Sequence, residues 1–393
     1  MEKYDSSVEP KKKRFYLISV DILQGLAIFP MIFGHSIGWW NSYLSSYYET
    51  GSLAIIIIMT TGILVFPCYL YLSGFNQVNS ILRKRIEDSD RKQIVSRTIK
   101  RSAIFFLLAS ISMVLMSIVS SPGNLSKTIN YLFTWHLFHM FAFSALFILI
   151  LFEISCLIQK NYSSKWKFRS LFTLVLLFCF LTIIFLFFFF HEYTVNHPRP
   201  FPVDLNIRSI FENIFLDVSS CGIVPWLSFS LAGGITASYL NLPNLIQKDL
   251  PKKAIFILLV NLLFLTIGFL FLGTERFVSA GIGYASSFSH VFISIGLIGF
   301  LNISLILFLD IYQVIPQKTS MKVFTPLINL SKISLTVYFI HPVFAILNPN
   351  IISSEIILLI IIGSYCLFFI FLSSVWKKWY FKYSFEWFIR NYS

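Results

Sequence analysis

Three polar side chains stand in the first long apolar run of the chain: Asp21, Gln24 and His35. Polar and ionisable groups in such a run are costly to place and are functional candidates by default. Eleven positions separate Gln24 from His35, about 16 Å of helical rise and close to three full turns. Together with Asp21 they share one helical face, within roughly 60°. A stripe of this kind is expected to face the interior of a helix bundle. His35 is suited to proton transfer, because an imidazole titrates near neutrality without tuning and can take a proton from a hydroxyl or an amine.

The elements that must position these groups follow from composition. The chain has 393 residues, of which 56% are hydrophobic and only 12% charged, with 44 Phe. A soluble domain carries about 25% charged residues, so the deficit points to lipid as the medium. A helix crosses a bilayer in about 20 apolar residues. Sustained apolar runs fall near 17–36, 53–80, 102–120, 131–158, 170–190, 219–240, 254–274, 283–309, 325–347 and 354–375. The expected fold is therefore all-α: a polytopic transmembrane bundle of about ten helices with both termini cytosolic. Residues 1–16 form a basic cytosolic tail, 17–375 one membrane domain, and 376–393 a cytosolic C-terminal tail. The first helix follows Lys11, Lys12, Lys13 and Arg14 without a small-x-small cleavage site, and reads as uncleaved.

Charge sets the orientation. The net charge of +13 is spread over short segments between apolar runs rather than gathered on one face. That distribution excludes nucleic acid as the partner and marks topology instead. With the N-terminus inside, 26 Lys and Arg fall on inner segments and 4 on outer ones; Lys332, in the ninth run, is the remainder. The five cysteines share no C-x-x-C spacing and read as free thiols packed among apolar groups.

On this topology all seven histidines lie in the outer half or beyond. His136 and His139 enter the fourth span from outside, His290 enters the eighth, His341 ends the ninth, and His191 and His197 sit in the long outer segment. The inner half carries the cations from Arg83 to Arg101, with Arg97, Lys100 and Arg101 next to the third span. Such a basic run is ordinarily a solvated loop; the alternative is an anion site. Asp310, at the inner end of the eighth run, is expected to be solvated, and Glu153 to reach the interface.

Several segments resemble known families in the same order. Ser19 to Ser36, SVDILQGLAIFPMIFGHS, resembles the first helix of two related membrane acyltransferase families. These are the acyltransferase type 3 family and the heparan-alpha-glucosaminide N-acetyltransferase catalytic-domain family. Both open with a basic residue, an Asp and an R-G-(L/I)-A element, and the type 3 family places a His after the Arg with ten residues between them. Gln24 and His35 have that spacing. LVFPCYLYLSGF (64–75, with Ser73, Gly74 and Phe75) is similar to the second-helix element. WHLFHMFA (135–142) resembles I-L-H-F-I-G, with His139 in the His position. IVPWLSFSLAG (223–233) is similar to the P-W-x(5)-L-G helix. NLSKISLTVYFIHP (329–342) resembles L-G-(R/K)-x-S-L-x-(I/V)-Y-x-x-H, with Ser331 replacing the Gly.

The resemblance implies a transmembrane acyltransferase. Its donor would be a cytosolic acyl-CoA, most simply acetyl-CoA, used as a substrate with no bound cofactor. Its acceptor would be a hydroxyl or amine of an extracytoplasmic glycan or lipid-linked sugar. His35 and His139 are the implied catalytic pair, His35 acting either as base or as the acylated group. Trp135, His136, Ser73, Trp226 and His341 would position the substrate or donate to the tetrahedral oxyanion. Gln24, Asp21, Arg97 and Arg101 would handle the donor, its phosphates resting on the arginines. Gln24 stands where those families have Arg, so a neighbouring cation such as Arg97 or Arg101 is the expected substitute. The partners are the bilayer of the plasma membrane, the acyl-CoA and the acceptor, and a homo-oligomer is compatible with the sequence. Two other readings stay open: a transporter or flippase of a small anion or lipid, with interrupted spans near Gly233-Gly234 and Pro342, and a catalytically silent relative. A haem or metal site is disfavoured, since His136 and His139 on one helix cannot ligate opposite sides of one iron.

Overall fold

The computed structural model describes residues 17–40, 53–86, 91–120, 137–161, 168–196, 209, 214–215, 222–241, 249–272, 288–341 and 355–392. Side chains at 34–40, 53–64, 86, 115–120, 161, 191–196, 272 and 355–359 lie outside that description. Among the described residues there is no strand. The helices are α1 (Ile18–Trp40), α2 (Leu53–Ile86), α3 (Arg91–Ser120), α4 (Leu137–Asn161), α5 (Phe168–Asn196), α6 (Ile223–Leu240), α7 (Leu250–Leu272) and α8 (Phe288–Leu305). They are followed by α9 (Gln317–Val323), α10 (Thr325–Ser331), α11 (Ser334–Ile340), α12 (Glu355–Lys378) and α13 (Phe385–Tyr392). Each of the ten apolar runs carries helix, as a medium without water requires of every spanning segment.

Six of these helices, α4 to α8 and α12, are individually long and apolar enough to cross a membrane among the described residues, and α1 carries a shorter apolar stretch at Ile18–Phe33. Their outer faces are greasy. Phe178 is 71% exposed, and Phe185, Phe188, Phe189, Leu263 and Leu270 are also largely uncovered. A surface of that kind suits lipid and would aggregate in water. The fold is an all-helical membrane bundle.

Packing between the helices relies on close backbone approach, the usual device where lipid removes the hydrophobic drive for association. Central α2 touches α1, α4, α6 and α8. Along its seam with α6, a methyl group added at Gly74 would strike the backbone of Ser230, and one at Gly233 would strike the backbone of Tyr71. The two glycines thus seat each helix on the other. The Tyr71 hydroxyl also donates to Thr236 Oγ1 at 2.9 Å. Gly25 brings α1 against Leu327 of α10, while Gly296 and Gly299 bring α8 against α7.

Three features go beyond the reading by apolar runs. The third span is the continuation of a helix that begins at Arg91, eleven residues before its apolar part. The ninth span is two short helices, α10 and α11, interrupted at Lys332 and Ile333. The segment from 376, set down as a cytosolic tail, is the end of α12, a tight turn and the amphipathic helix α13.

Candidate functional site

Helices α3 and α4 run antiparallel, and three contacts fix their register. Arg91 Nε donates to Glu153 Oε1 at 3.0 Å. The rings of Phe105 and Phe141 are 5.9 Å apart, and those of Phe106 and His139 are 5.6 Å apart. Counting along both helices, Arg97 stands level with Phe147 and Arg101 level with Phe143, which themselves stack at 6.0 Å. Phe147 is near the middle of the apolar stretch Leu137–Lys160. Among the described residues the basic run is therefore not a loop. From Arg91 onward it is the first third of α3, and it carries its cations alongside an apolar span. Arg97 is half-buried, whereas Lys100 and Arg101 are exposed. Another face of α3, without Arg97 and Arg101, borders an open hollow of about 660 Å³ lined by Arg91, Lys92, Val95, Ser96, Ile99 and Lys100.

His139 is at the far end of the same helix pair and is 7% exposed. Its contact Phe106 is five residues beyond Arg101 on α3, about 7.5 Å of rise. Next to His139, the Phe138 ring meets Tyr338 at 4.8 Å and Phe339 at 5.0 Å. The start of α4 is thereby brought to the end of α11, where His341 lies. His341 is buried, with Nδ1 at 2.7 Å from the Tyr338 carbonyl oxygen. Its own carbonyl accepts from the Tyr365 hydroxyl at 2.8 Å.

The polar stripe of α1 meets the interrupted ninth span. Gln24 Nε2 donates to Ser334 Oγ at 2.8 Å, and Ser334 is the first residue of α11. Asp21, half-buried, lies within electrostatic reach of the Lys332 ammonium and the Asp310 carboxylate. The break itself is tightened by amides reaching back three residues: Lys332 N to Asn329 O at 3.2 Å and Ile333 N to Leu330 O at 3.1 Å. The first amides of a helix have no partner within it. For α11 the partner is the carboxylate of Glu386 on α13, which accepts from the amides of Leu335 and Thr336 and, at 2.7 Å, from the Thr336 hydroxyl. Helix α13 touches α3 as well as α11.

Asp310 overturns the expectation of a solvated side chain. It is 8% exposed, on a π-helical turn (Ile306–Ile311) that ends the eighth span. Its two oxygens accept from the first amides of α1: Ile18 N at 3.1 Å and Ser19 N at 3.3 Å. A carboxylate from another helix thus caps the helix that carries Gln24 and His35. Sequence reasoning also passed over Ser334 and Glu386. An isolated acid at the end of an apolar run, and the sole acid in the aromatic stretch after 376, were the available signals.

The remaining expected residues divide. Trp226 is fully buried between Phe66, Phe229 and His290, with the His290 ring at 6.3 Å, so it is packed in the core of α6 on the side of α8. Ser73 is half-buried on α2, beside the Gly74 seam. His35 is on α1, but its side chain lies outside the described residues, as does that of His191. Trp135, His136 and His197 lie outside them altogether.

Two of the expected groups therefore occur as local assemblies. One is the basic start of α3, whose apolar part meets His139 through Phe106; the other is the Asp21–Gln24 stripe joined to the break in the ninth span. Among known families, a model described as an acyltransferase domain matches residues 17–376, nearly the whole chain. None of the curated proteins compared with the chain matches it.

Proposed function

The chain belongs to the acyltransferase type 3 family of membrane proteins, and from that premise we propose that it moves an acyl group, acetyl in the simplest case, from a cytosolic acyl-CoA to a hydroxyl or amine on an extracytoplasmic glycan or lipid-linked sugar. The observation that carries this reading is the α3–α4 register: Arg97 and Arg101 stand level with Phe147 and Phe143 of an apolar span, and His139 closes the same pair of helices. Guanidinium groups beside an apolar span suit an anionic ligand. The phosphates of a CoA are such an anion, and guanidinium groups hold phosphate by paired hydrogen bonds.

In this reading the donor enters along α3 and lays its phosphates on Arg97, Lys100 and Arg101. Its thioester then lies toward His139 and the outer end of α1. An imidazole, from His35 or His139, takes the proton of the acceptor hydroxyl or amine. The acceptor oxygen or nitrogen bonds to the thioester carbonyl carbon, the carbon–sulfur bond breaks, and CoA leaves as the thiol carrying the proton. His341, His136 or Trp135 would donate to the oxyanion, with Ser73 and Trp226 holding the walls. Gln24, in place of the family arginine, contributes a neutral donor already directed at Ser334, so the positive charge comes from α3 instead. Both termini lie in the cytosol of a plasma-membrane protein.

The test is transfer from radiolabelled acetyl-CoA by purified, reconstituted protein. Label should appear in acceptor or as free acetate, and Arg97→Ala and Arg101→Ala should raise the concentration of donor needed. A transporter reading draws on the broken ninth span, since interrupted helices also line transport pathways. Counterflow of substrate with no covalent product would favour it.

A further inference from the structure

Beyond the acyl-transfer reading, the segment joining α12 to α13 has a surface of its own. The apolar stretch of α12 ends at Lys378, so by length and composition the turn that follows is at the edge of a candidate span. Lys377, Lys378 and Lys382 are gathered there with Trp379, Tyr380 and Tyr383. Trp379 is 61% exposed and both tyrosines are 80% exposed. Lys378, Trp379, Tyr380, Lys382 and Tyr383 line an open hollow of about 450 Å³.

The backbone makes this arrangement specific. Tyr380, Phe381 and Tyr383 have φ of 54°, 57° and 64°. These are left-handed values that bulky L-residues rarely adopt and that persist only where the surroundings impose them. Here the surroundings are visible. Trp376 Nε1 donates to the Lys382 carbonyl at 2.7 Å, and Lys332 Nζ is 5.5 Å from the Phe381 ring centre. Downstream, Glu386 is bound to α11. Phe381 turns inward, and the tryptophan and two tyrosines are left outside with the lysines. Glu386 is the sole acid after residue 376, and its carboxylate is committed to the α11 amides. No acid of this segment is therefore left to neutralise the lysines.

From these observations we infer that the turn Lys377–Tyr383 is a binding site for the headgroup of an anionic phospholipid in the adjoining leaflet. Lys378 and Lys382 take the phosphate, and Trp379, Tyr380 and Tyr383 seat their rings at the level of the glycerol backbone. Amphipathic aromatic rings concentrate at that level, and polybasic segments at the edge of a span draw anionic lipid.

The experiment uses the full chain in nanodiscs of phosphatidylcholine with increasing phosphatidylglycerol, one lipid or the other brominated near the head of its acyl chain. The difference in quenching between wild type and Trp379→Phe isolates Trp379. Brominated phosphatidylglycerol should quench Trp379 well below the fraction at which brominated phosphatidylcholine does. Lys378→Ala/Lys382→Ala should need about 30-fold more anionic lipid for the same quenching, and Lys378→Arg/Lys382→Arg should behave as wild type. If the alanine pair does not fold, loss of the wild-type preference at high salt reads the same charge dependence. Equal quenching by the two lipids, as a turn built for a protein partner would give, overturns the proposal. So does a preference that survives both the alanine pair and high salt.

Discussion

Gln24 Nε2 donates to Ser334 Oγ across 2.8 Å, and this bond ties the polar stripe of the first helix to the point where the ninth span breaks. The two residues are 310 positions apart. On the far side of the break, Glu386 holds the next two amides of α11. The start of that half-helix is thus gripped from α1 and from α13 at once. Where the resemblance implies an arginine, Gln24 is a neutral donor with a fixed partner.

Removing either end of the pair should expose the coupling. Gln24→Ala and Ser334→Ala should each lower stability by about 1 kcal/mol, and the double variant by less than their sum. Unfolding in mixed detergent micelles measures the cycle. Additive losses would mean that the bond contributes nothing.

Asp310 should act through α1. Asp310→Ala leaves two buried amides without an acceptor and should cost about 1–3 kcal/mol, whereas Asp310→Asn keeps one acceptor and should cost less. The same unfolding assay ranks them. Equal behaviour of both variants and wild type would show that the first turn of α1 finds other partners.

Much of this architecture was legible before the fold was known. The ten runs each carry helix, because a span without water must satisfy its backbone internally. Arg97 and Arg101 could be picked out, but not their depth. A run of cations reads as loop, and only the Arg91–Glu153 and Phe106–His139 contacts reveal that the helix starts eleven residues early. The break at Lys332 and Ile333 was hidden because those residues interrupt no periodicity. Asp310 and Glu386 were opaque for a different reason. Each serves amides on a helix far away in sequence, and local pattern carries no trace of such a partner.

The seam between α2 and α6 should tolerate no side chain. Gly74→Ala would press on the Ser230 backbone and Gly233→Ala on that of Tyr71. Since backbone cannot swing aside, each should destabilise by about 1–3 kcal/mol. Thermal denaturation in detergent is the readout, and a wild-type midpoint for either variant would contradict the packing.

Glu386 should leave a mark on the pH dependence of stability. Burial pushes its carboxyl above the usual 4.5, against the opposing pull of its bonds to Thr336 and Leu335. The folded state then holds the proton more tightly than the unfolded chain. Stability contributed by this group is full below 4.5, falls as pH rises through the raised value, and is level beyond it. Glu386→Gln, which cannot titrate, should lack that fall. Melting curves taken from pH 4 upward compare the two, and parallel profiles would remove Glu386 from the account.

Donor handling by α3 should depend on salt and on two arginines. Arg97→Ala and Arg101→Ala should each raise the KM for acetyl-CoA by about 10- to 100-fold, the worth of a charge-assisted bond to phosphate. An unchanged KM would assign those cations to the bilayer rather than to the donor.

The most direct measurement follows the acyl group itself. Purified protein is reconstituted in liposomes and given acetyl-CoA labelled on the acetyl group. Release or transfer of label is then compared among wild type, His35→Ala, His139→Ala and Arg101→Ala. The account predicts a covalent acetyl product or free acetate from wild type, loss of it in at least one histidine variant, and recovery of the Arg101→Ala rate at higher donor concentration. Wild-type protein that exchanges substrate across the membrane and never breaks the thioester would contradict it.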